Sequence, residues 1–163
     1  MKYFFVIFVL NFLSFSSFAQ SKIDLKLDWP EVSLNQRTTK ELVEKKSDFY
    51  VVDFWASWCE PCLESLPFYA EELKKLKLDN WSLVAVNMDT EKGAGEEFLK
   101  KMNLDAWVLH DGNKKLAQKL GVVSLPTLFF INAKGEVVKK EMGFNKKSKS
   151  LFRKNLNELR KQK

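Results

Sequence analysis

Cysteine and histidine are scarce in this chain of 163 residues: two cysteines, Cys59 and Cys62, and one histidine, His110. The first scarcity rules out a fold braced by disulfides. The single bond that could form would close a loop too short to constrain much chain. It also argues against a structural zinc centre, which needs four ligands, because only His110 could join the two thiols. Glycine (6) and proline (4) are few, so a collagen-like repeat or a disordered low-complexity chain is excluded. No internal repeat or linker-like stretch interrupts the sequence. Positive charge exceeds negative by 6, but the lysines are spread over many elements. That pattern is one of solvated faces that aid solubility, and it argues against nucleic-acid binding.

What remains is an ordinary globular composition, 45% hydrophobic and 29% charged. The length suits one domain, which would bury about 68–70% of its unfolded surface. Two cysteines in such a chain therefore point to chemistry before architecture.

The one long uncharged run lies at the start. Lys2 precedes the apolar stretch Tyr3–Leu10, and no further charge appears before Lys22. Ser17-Phe18-Ala19 places small residues where a leader would be cut. We expect residues 1–19 to be a secretory signal and residues 20–163 the mature domain, with Gln20 first. An uncleaved membrane anchor is the competing reading. Asn11, Ser14, Ser16 and Ser17 make the run too polar for a good span of about 20 residues. No cysteine follows it, which argues against a lipid anchor. Export would place Cys59 and Cys62 where disulfides persist.

Along the mature chain, Ile23, Leu25 and Leu27 alternate with polar residues, as a short edge strand would. Thr38 or Thr39 can cap a helix running to about Lys46. Phe49–Trp55 and Trp81–Asn87 are nearly continuous β-prone runs, suited to strands covered on both faces. Between them a helix is expected from about Cys59 to Lys77, with Leu63, Leu66, Tyr69, Ala70, Leu73 and Leu76 as its apolar stripe. A short helix follows from Gly93 to Met102, with Phe98 and Leu99 inward, and then a strand from Ala106 to Leu109. Asn113 is read as the cap of a helix from Lys114 to Leu120, which Gly121 ends. Leu128–Ile131 is a strand, and Ala133–Glu136 turns it into Val137–Met142. A last helix, Ser148–Lys161, turns Leu151, Phe152, Leu156 and Leu159 inward. Strands alternating with helices, closed by a hairpin and a helix, imply an α/β fold: a three-layer α/β/α sandwich around a mixed central sheet.

The chemistry is concentrated in Trp58-Cys59-Glu60-Pro61-Cys62. Residues i and i+3 share a helical face, with Cβ atoms about 5–6 Å apart. A disulfide needs about 3.5–4.5 Å, so a slightly tightened first turn can close it. Cys59 would sit at the helix N-terminus, where free N–H groups and the macrodipole favour a thiolate, the attacking species. Cys62, one turn in and more buried, would resolve a mixed disulfide at Cys59. Pro61 fits the first turn because its missing N–H has no partner there. Trp55 is read as core and Trp58 as a cover over the disulfide. His110 is read as a strand-end or surface residue.

The segment Val52-Asp-Phe-Trp-Ala-Ser-Trp-Cys-Glu-Pro-Cys62 resembles the active-site segment of thioredoxins. Pro67 resembles the helix-kinking proline of that superfamily. Val122-Val-Ser-Leu-Pro-Thr127 resembles its cis-proline loop. The stretch from about Asp89 to Leu109 is similar to the helix–strand insertion of the extracytoplasmic TlpA/ResA-like branch, and the Glu60-Pro61 pair is similar to the ResA subgroup. The resemblance implies a thioredoxin fold and a cis bond at Leu125-Pro126. Such a bond would leave a backbone edge near Cys59 on which a client peptide could pair. Trp58, Glu60, Pro61, Leu125 and Pro126 would then contact the client. The resemblance also implies thiol–disulfide oxidoreductase activity without a cofactor or metal. Reductive tasks of the kind used in cytochrome c maturation are expected, with a membrane thiol-transporting reductase as electron donor and a monomeric protein.

Two departures stand out. The TlpA/ResA-like proteins that this chain resembles usually carry an acid three positions after the second cysteine, where this chain has Ser65. Glu64 lies beside it but about 100° around the helix, toward solvent. Conversely, Asp53 matches the buried aspartate of cytoplasmic thioredoxins, where this branch often has Asn. A buried carboxyl can shuttle a proton, so Asp53 joins Cys59 and Cys62 as a candidate catalytic residue. The leading expectation is an exported reductant of client disulfides. A thiol peroxidase and a non-catalytic thioredoxin-like module that binds an apo-protein or metallochaperone client are the alternatives.

Overall fold

The computed structural model describes residues 21–102 and 104–162. The leader expected at residues 1–19 lies outside them. Five strands and five helices alternate in the order α1 (Thr39–Lys45), β1 (Phe49–Trp55), α2 (Glu60–Lys75), β2 (Trp81–Asn87), α3 (Lys92–Leu99), β3 (Trp107–His110), α4 (Lys115–Lys119), β4 (Thr127–Asn132), β5 (Val137–Met142) and α5 (Lys146–Leu159).

The sheet order is β3-β2-β1-β4-β5. β1, β2 and β3 run parallel, whereas β4 and β5 are antiparallel to their neighbours. β1 and β2 are buried along their whole length, as their nearly continuous β-prone runs suggest. Alternation along β1 sends Val51 and Trp55 into one apolar layer and Tyr50, Val52 and Phe54 into the other. Asp53 shares the side of Val51 and Trp55 by the same two-residue period. On that side Leu66, Tyr69 and Leu73 of α2 meet Phe152, Leu156 and Leu159 of α5. On the other side lie Leu42 of α1 and Leu116 and Ala117 of α4. The three-layer α/β/α sandwich is thus present.

Local chemistry explains most element ends. Thr38 and Glu41 form a reciprocal capping box on α1, and Asn145 with Ser148 does the same for α5, each satisfying two otherwise orphaned donors. α2 and α5 are tied by Arg153, which grips Glu72 with two bonds of 2.8 and 3.0 Å.

Four sequence expectations are corrected. Ile23–Leu27 forms no edge strand: Lys22 makes an isolated bridge to Glu136, residues 25–27 turn, and Leu27 is exposed. Ile23 instead donates its N–H to the carbonyl of Gly135 at the β4–β5 turn, at 2.8 Å. Asn113 is not the principal cap of α4. The carboxylate of Asp111 accepts from the N–H groups of Leu116 and Ala117, while Asn113 reaches only Lys115. Leu63 and Leu151 are exposed rather than inward. Leu63 follows the buried Cys62 and Leu151 precedes the buried Phe152, and a step of about 100° rotates each out of the inward stripe. α2 ends at Lys75, and Lys77 adopts a left-handed conformation (φ 50°) just beyond.

Candidate active site

The site is assembled at the end of the sheet where β1 finishes. β1 stops at Trp55, a short loop follows, and Cys59 is the N-cap of α2. Cys59 and Cys62 are disulfide-bonded, with Cα atoms 5.3 Å apart. The N–H of Cys62 donates to the carbonyl of Cys59 at 2.9 Å, which is the tightened first turn anticipated for the pair. Cys59 is 5% exposed and Cys62 is fully buried, so an incoming group meets Cys59 first. The Cys59 side chain makes no capping bond. As N-cap, Cys59 lies at the N-terminus of a 16-residue helix, a setting that favours a thiolate once the bond is reduced. Pro61 occupies the first turn without the loss of a bond.

β4 begins beside the same point. Phe54 pairs with Thr127, and continuing that register sets Pro126 alongside Trp55. The Leu125-Pro126 bond is cis. The carbonyl of Pro126 accepts from Gly143 at 2.9 Å. No bond among the described residues uses the backbone N–H or carbonyl of Leu125. Leu125 packs against the apolar layer that holds both cysteines. Trp58 is 71% exposed, and Val123 is also exposed. Glu60 and Pro61 likewise face solvent.

Asp53 lies beneath α2 and is fully buried. It does not bond Cys62 directly. The hydroxyl of Ser65 donates to Asp53 Oδ2 at 3.3 Å and lies 3.4 Å from the carbonyl of Cys62. Ser65 is thus more than the place of a missing acid: it links the strand carboxyl to the cysteine turn. Asp53 Oδ1 has no hydrogen-bond partner among the described residues. Burial raises the Asp53 carboxyl well above the ordinary aspartate range, and the Ser65 bond only partly opposes this. Glu64 faces solvent as expected, opposite Lys149 at 3.6 Å.

One part of the site carried no sequence motif. Asp89, just past β2, is buried. Its carboxylate accepts from the N–H and hydroxyl of Ser57 at 3.1–3.2 Å and from Asn87 Nδ2 at 2.8 Å. Asn87 Oδ1 faces His110 Nδ1 at 3.0 Å, and Lys114 donates to the carbonyls of Met88 and Asp89. This network moors the loop that presents Trp58 and Cys59. A hint was available in an acid immediately after a buried strand, but its target lies 32 residues away. His110 is a strand-end residue, and burial lowers its basicity, helped by Lys114 nearby.

The Redoxin family profile matches residues 25–158. The chain belongs to the redoxin family. This redoxin is 35% identical over 99 residues to the thiol-disulfide oxidoreductase ResA of Bacillus subtilis, a stretch covering 61% of this chain and 55% of ResA. It therefore matches only about half the length of that relative. Among solved structures, the thiol:disulfide interchange protein DsbE of Chlorobium tepidum superposes with a TM-score of 0.65 at 31% identity, over 71% of this chain and 82% of that one. StoA of Bacillus subtilis gives a TM-score of 0.56 at 27% identity, over 65% and 83%. The redoxin therefore has the thioredoxin-type α/β fold that the sequence suggested, with α3 and β3 in the stretch read as an insertion.

Proposed function

We propose that this redoxin is an exported thiol–disulfide oxidoreductase that reduces disulfides of client proteins. The observation that carries the reading is the bonded pair Cys59–Cys62 at the N-terminus of α2, beside a cis-proline loop with an unpaired backbone at Leu125. The names of the relatives support the same chemistry.

In the reduced protein, the Cys59 thiolate attacks one sulfur of a client disulfide. A Cys59–client bond forms and the other client sulfur leaves as thiolate. The client segment lies along Leu125 as a short added strand, with Trp58, Glu60, Pro61 and Pro126 around it. Cys62 then gives its proton to the Asp53 carboxylate, by way of the Ser65 hydroxyl or a water, and attacks Cys59. The Cys59–Cys62 bond forms, the client sulfur leaves as thiolate, and the two electrons now reside on the client. A donor must reduce the pair again, and a membrane thiol-transporting reductase fits that need. The exposed Glu60 beside Cys59 opposes the helix dipole, so the dithiol is less stabilised, and the pair more reducing, than the dipole alone would make it. This supports a reductant role of the kind used in cytochrome c maturation. Residues 1–19 support export.

Trapping tests the reading. Cys62→Ser expressed in the native cell should accumulate mixed disulfides through Cys59, released by dithiothreitol. Recovery of the exported form with Gln20 at its N-terminus is expected by mass spectrometry. Failure of the wild-type protein to reduce insulin, with no trapped client, would favour a non-catalytic binding module instead.

A further inference from the structure

The chain carries 27 basic and 21 acidic residues. Its lysines are spread over many elements, but their excess over the acids is not. Residues 146–161, which are α5 and the two residues after it, hold seven of the basic residues and one acid, Glu158. That excess equals the +6 of the whole chain, so the remaining residues balance. One helix bears the net charge of the protein.

Packing decides where this charge points. Phe152, Leu156 and Leu159 enter the core shared with α2, and Asn155 donates to the buried carboxylate of Glu141 on β5 at 2.6 Å. Steps of about 100° set Lys146, Lys147, Ser150, Lys154, Asn157 and Lys161 around the opposite side, and all six are exposed. This face holds four cations, two neutral polar residues and no acid, over about 22 Å of helix. Glu158 stands at one flank, where Lys139 and Lys154 meet it at 3.2 and 3.8 Å. At the other flank, Lys149 and Arg153 are engaged by Glu64 and Glu72 of α2. Lys146, Lys147 and Lys161 make no ion pair among the described residues. The first turn of α5 contains no acid, although the helix dipole favours acids there and disfavours lysine. Helix stability therefore does not account for Lys146 and Lys147, whereas an external anion would be met by both the lysines and the dipole.

The composition of the face selects its partner. A protein interface is anchored by aromatic side chains or arginine in desolvated pockets. This face is convex and has no such anchor. Its charges are lysines, hydrated point charges on flexible stems, which need no fixed acceptor geometry. A fluid array of anionic headgroups meets that description, and the exposed Leu151 borders the face where it would enter the headgroup layer.

We propose that α5 docks this redoxin on an anionic lipid surface through Lys146, Lys147, Lys154 and Lys161. Met142, at the end of β5, pairs with Thr127 beside the cis-proline, so α5 starts at the Cys59 end of the sheet. The helix meets the sheet through its other side, and docking leaves the cysteine pair uncovered and near the membrane. Each lysine close to an anionic surface contributes about fivefold to binding, the equivalent of about 1 kcal/mol.

The test uses the full protein, as the cell exports it, with sedimenting vesicles of phosphatidylcholine alone or of phosphatidylcholine with phosphatidylglycerol. Binding should require phosphatidylglycerol and be lost at about 1 M salt, where the screening length falls to about 3 Å. A variant with Lys146→Gln, Lys147→Gln, Lys154→Gln and Lys161→Gln should bind at least about fiftyfold more weakly. A control with Lys26→Gln, Lys74→Gln, Lys100→Gln and Lys115→Gln loses the same charge from exposed positions elsewhere and should bind less than about fivefold more weakly. Both variants should reduce insulin in solution like wild type, which shows that they fold and reads the cysteine chemistry separately from docking. Equal loss of binding in the two variants would reveal a net-charge effect and refute docking through α5. Binding to phosphatidylcholine alone, unaltered in the first variant, would assign attachment to another segment and overturn the proposal. Absence of vesicle binding also overturns it, and retention on polyglutamate through the same four lysines would then give the face to an acidic protein.

Discussion

The buried Asp53 carboxyl makes a specific demand on stability. Its folded pKa is raised by burial, with only the Ser65 hydroxyl opposing, whereas the unfolded chain ionises near 3.9. Between those two values the native state holds a proton that the unfolded state has released. Stability then falls as pH rises, by about 1.4 kcal/mol per pH unit for this one group. The loss begins above about pH 4 and stops at the folded pKa. Asp53→Asn removes the effect, because an amide does not titrate. At pH 4 the comparison is amide against neutral acid, and the variant should be equal to wild type or weaker. The Asn amide leaves a donor without a partner where Oδ1 now lies unpaired, a cost of about 1–3 kcal/mol. As pH rises the wild type loses stability and the variant does not, so the two curves should cross and Asp53→Asn should be the more stable protein at neutral pH. Urea unfolding of the oxidised protein from pH 4 to 9 measures this. Glu141 is present in both proteins and largely cancels in the difference. A stability difference that stays constant over that range would refute the raised pKa of Asp53.

Three further outcomes are expected. Alkylation of the reduced protein at neutral pH should label Cys59 before Cys62, because Cys59 caps α2 and Cys62 is fully buried; faster labelling of Cys62, read by peptide mass spectrometry, would reverse the assignment. Ser65→Ala removes the one bond to Asp53, so it should cost about 1–3 kcal/mol and move the Asp53 titration, followed by carboxyl NMR, further upward. Asp89→Ala removes the acceptor of the Ser57 N–H and hydroxyl and of Asn87 Nδ2. It should speed amide exchange at Ser57 and slow insulin reduction, and an active-site loop as protected as in wild type would argue against the mooring role of Asp89.

Much of this protein is written locally. Phe49–Trp55 and Trp81–Asn87 form strands over the residues their composition indicates, because a nearly continuous β-prone run finds burial on both faces at the centre of a sheet covered by helices on both sides. Thr38 with Glu41 specifies the start of α1 within four residues. The cysteine pair needs only one helical turn to meet, and its motif names its own chemistry. The fate of Asp53 was also legible, since a central strand buries whichever side the residue faces.

What tertiary structure alone decided is what depends on strand order and on helix rotation. The amphipathic look of Ile23–Leu27 could not place a strand, because the segment meets a partner only at its start, at the β4–β5 turn, and residues 25–27 turn away from it. Leu63 and Leu151 are as apolar as their inward neighbours, and only the packing of α2 against α5 fixes which residues turn outward. Asp111 caps α4 from the end of β3, and Asp89 holds Ser57 across 32 residues. Neither pairing has a local period to betray it. Glu141 reads as one polar residue in a half-exposed hairpin strand until the order β1-β4-β5 sets it on the face of Asp53. Periodicity acts between neighbours in sequence, whereas a buried carboxyl finds its partners across the sheet, and that adjacency exists only once the chain has folded.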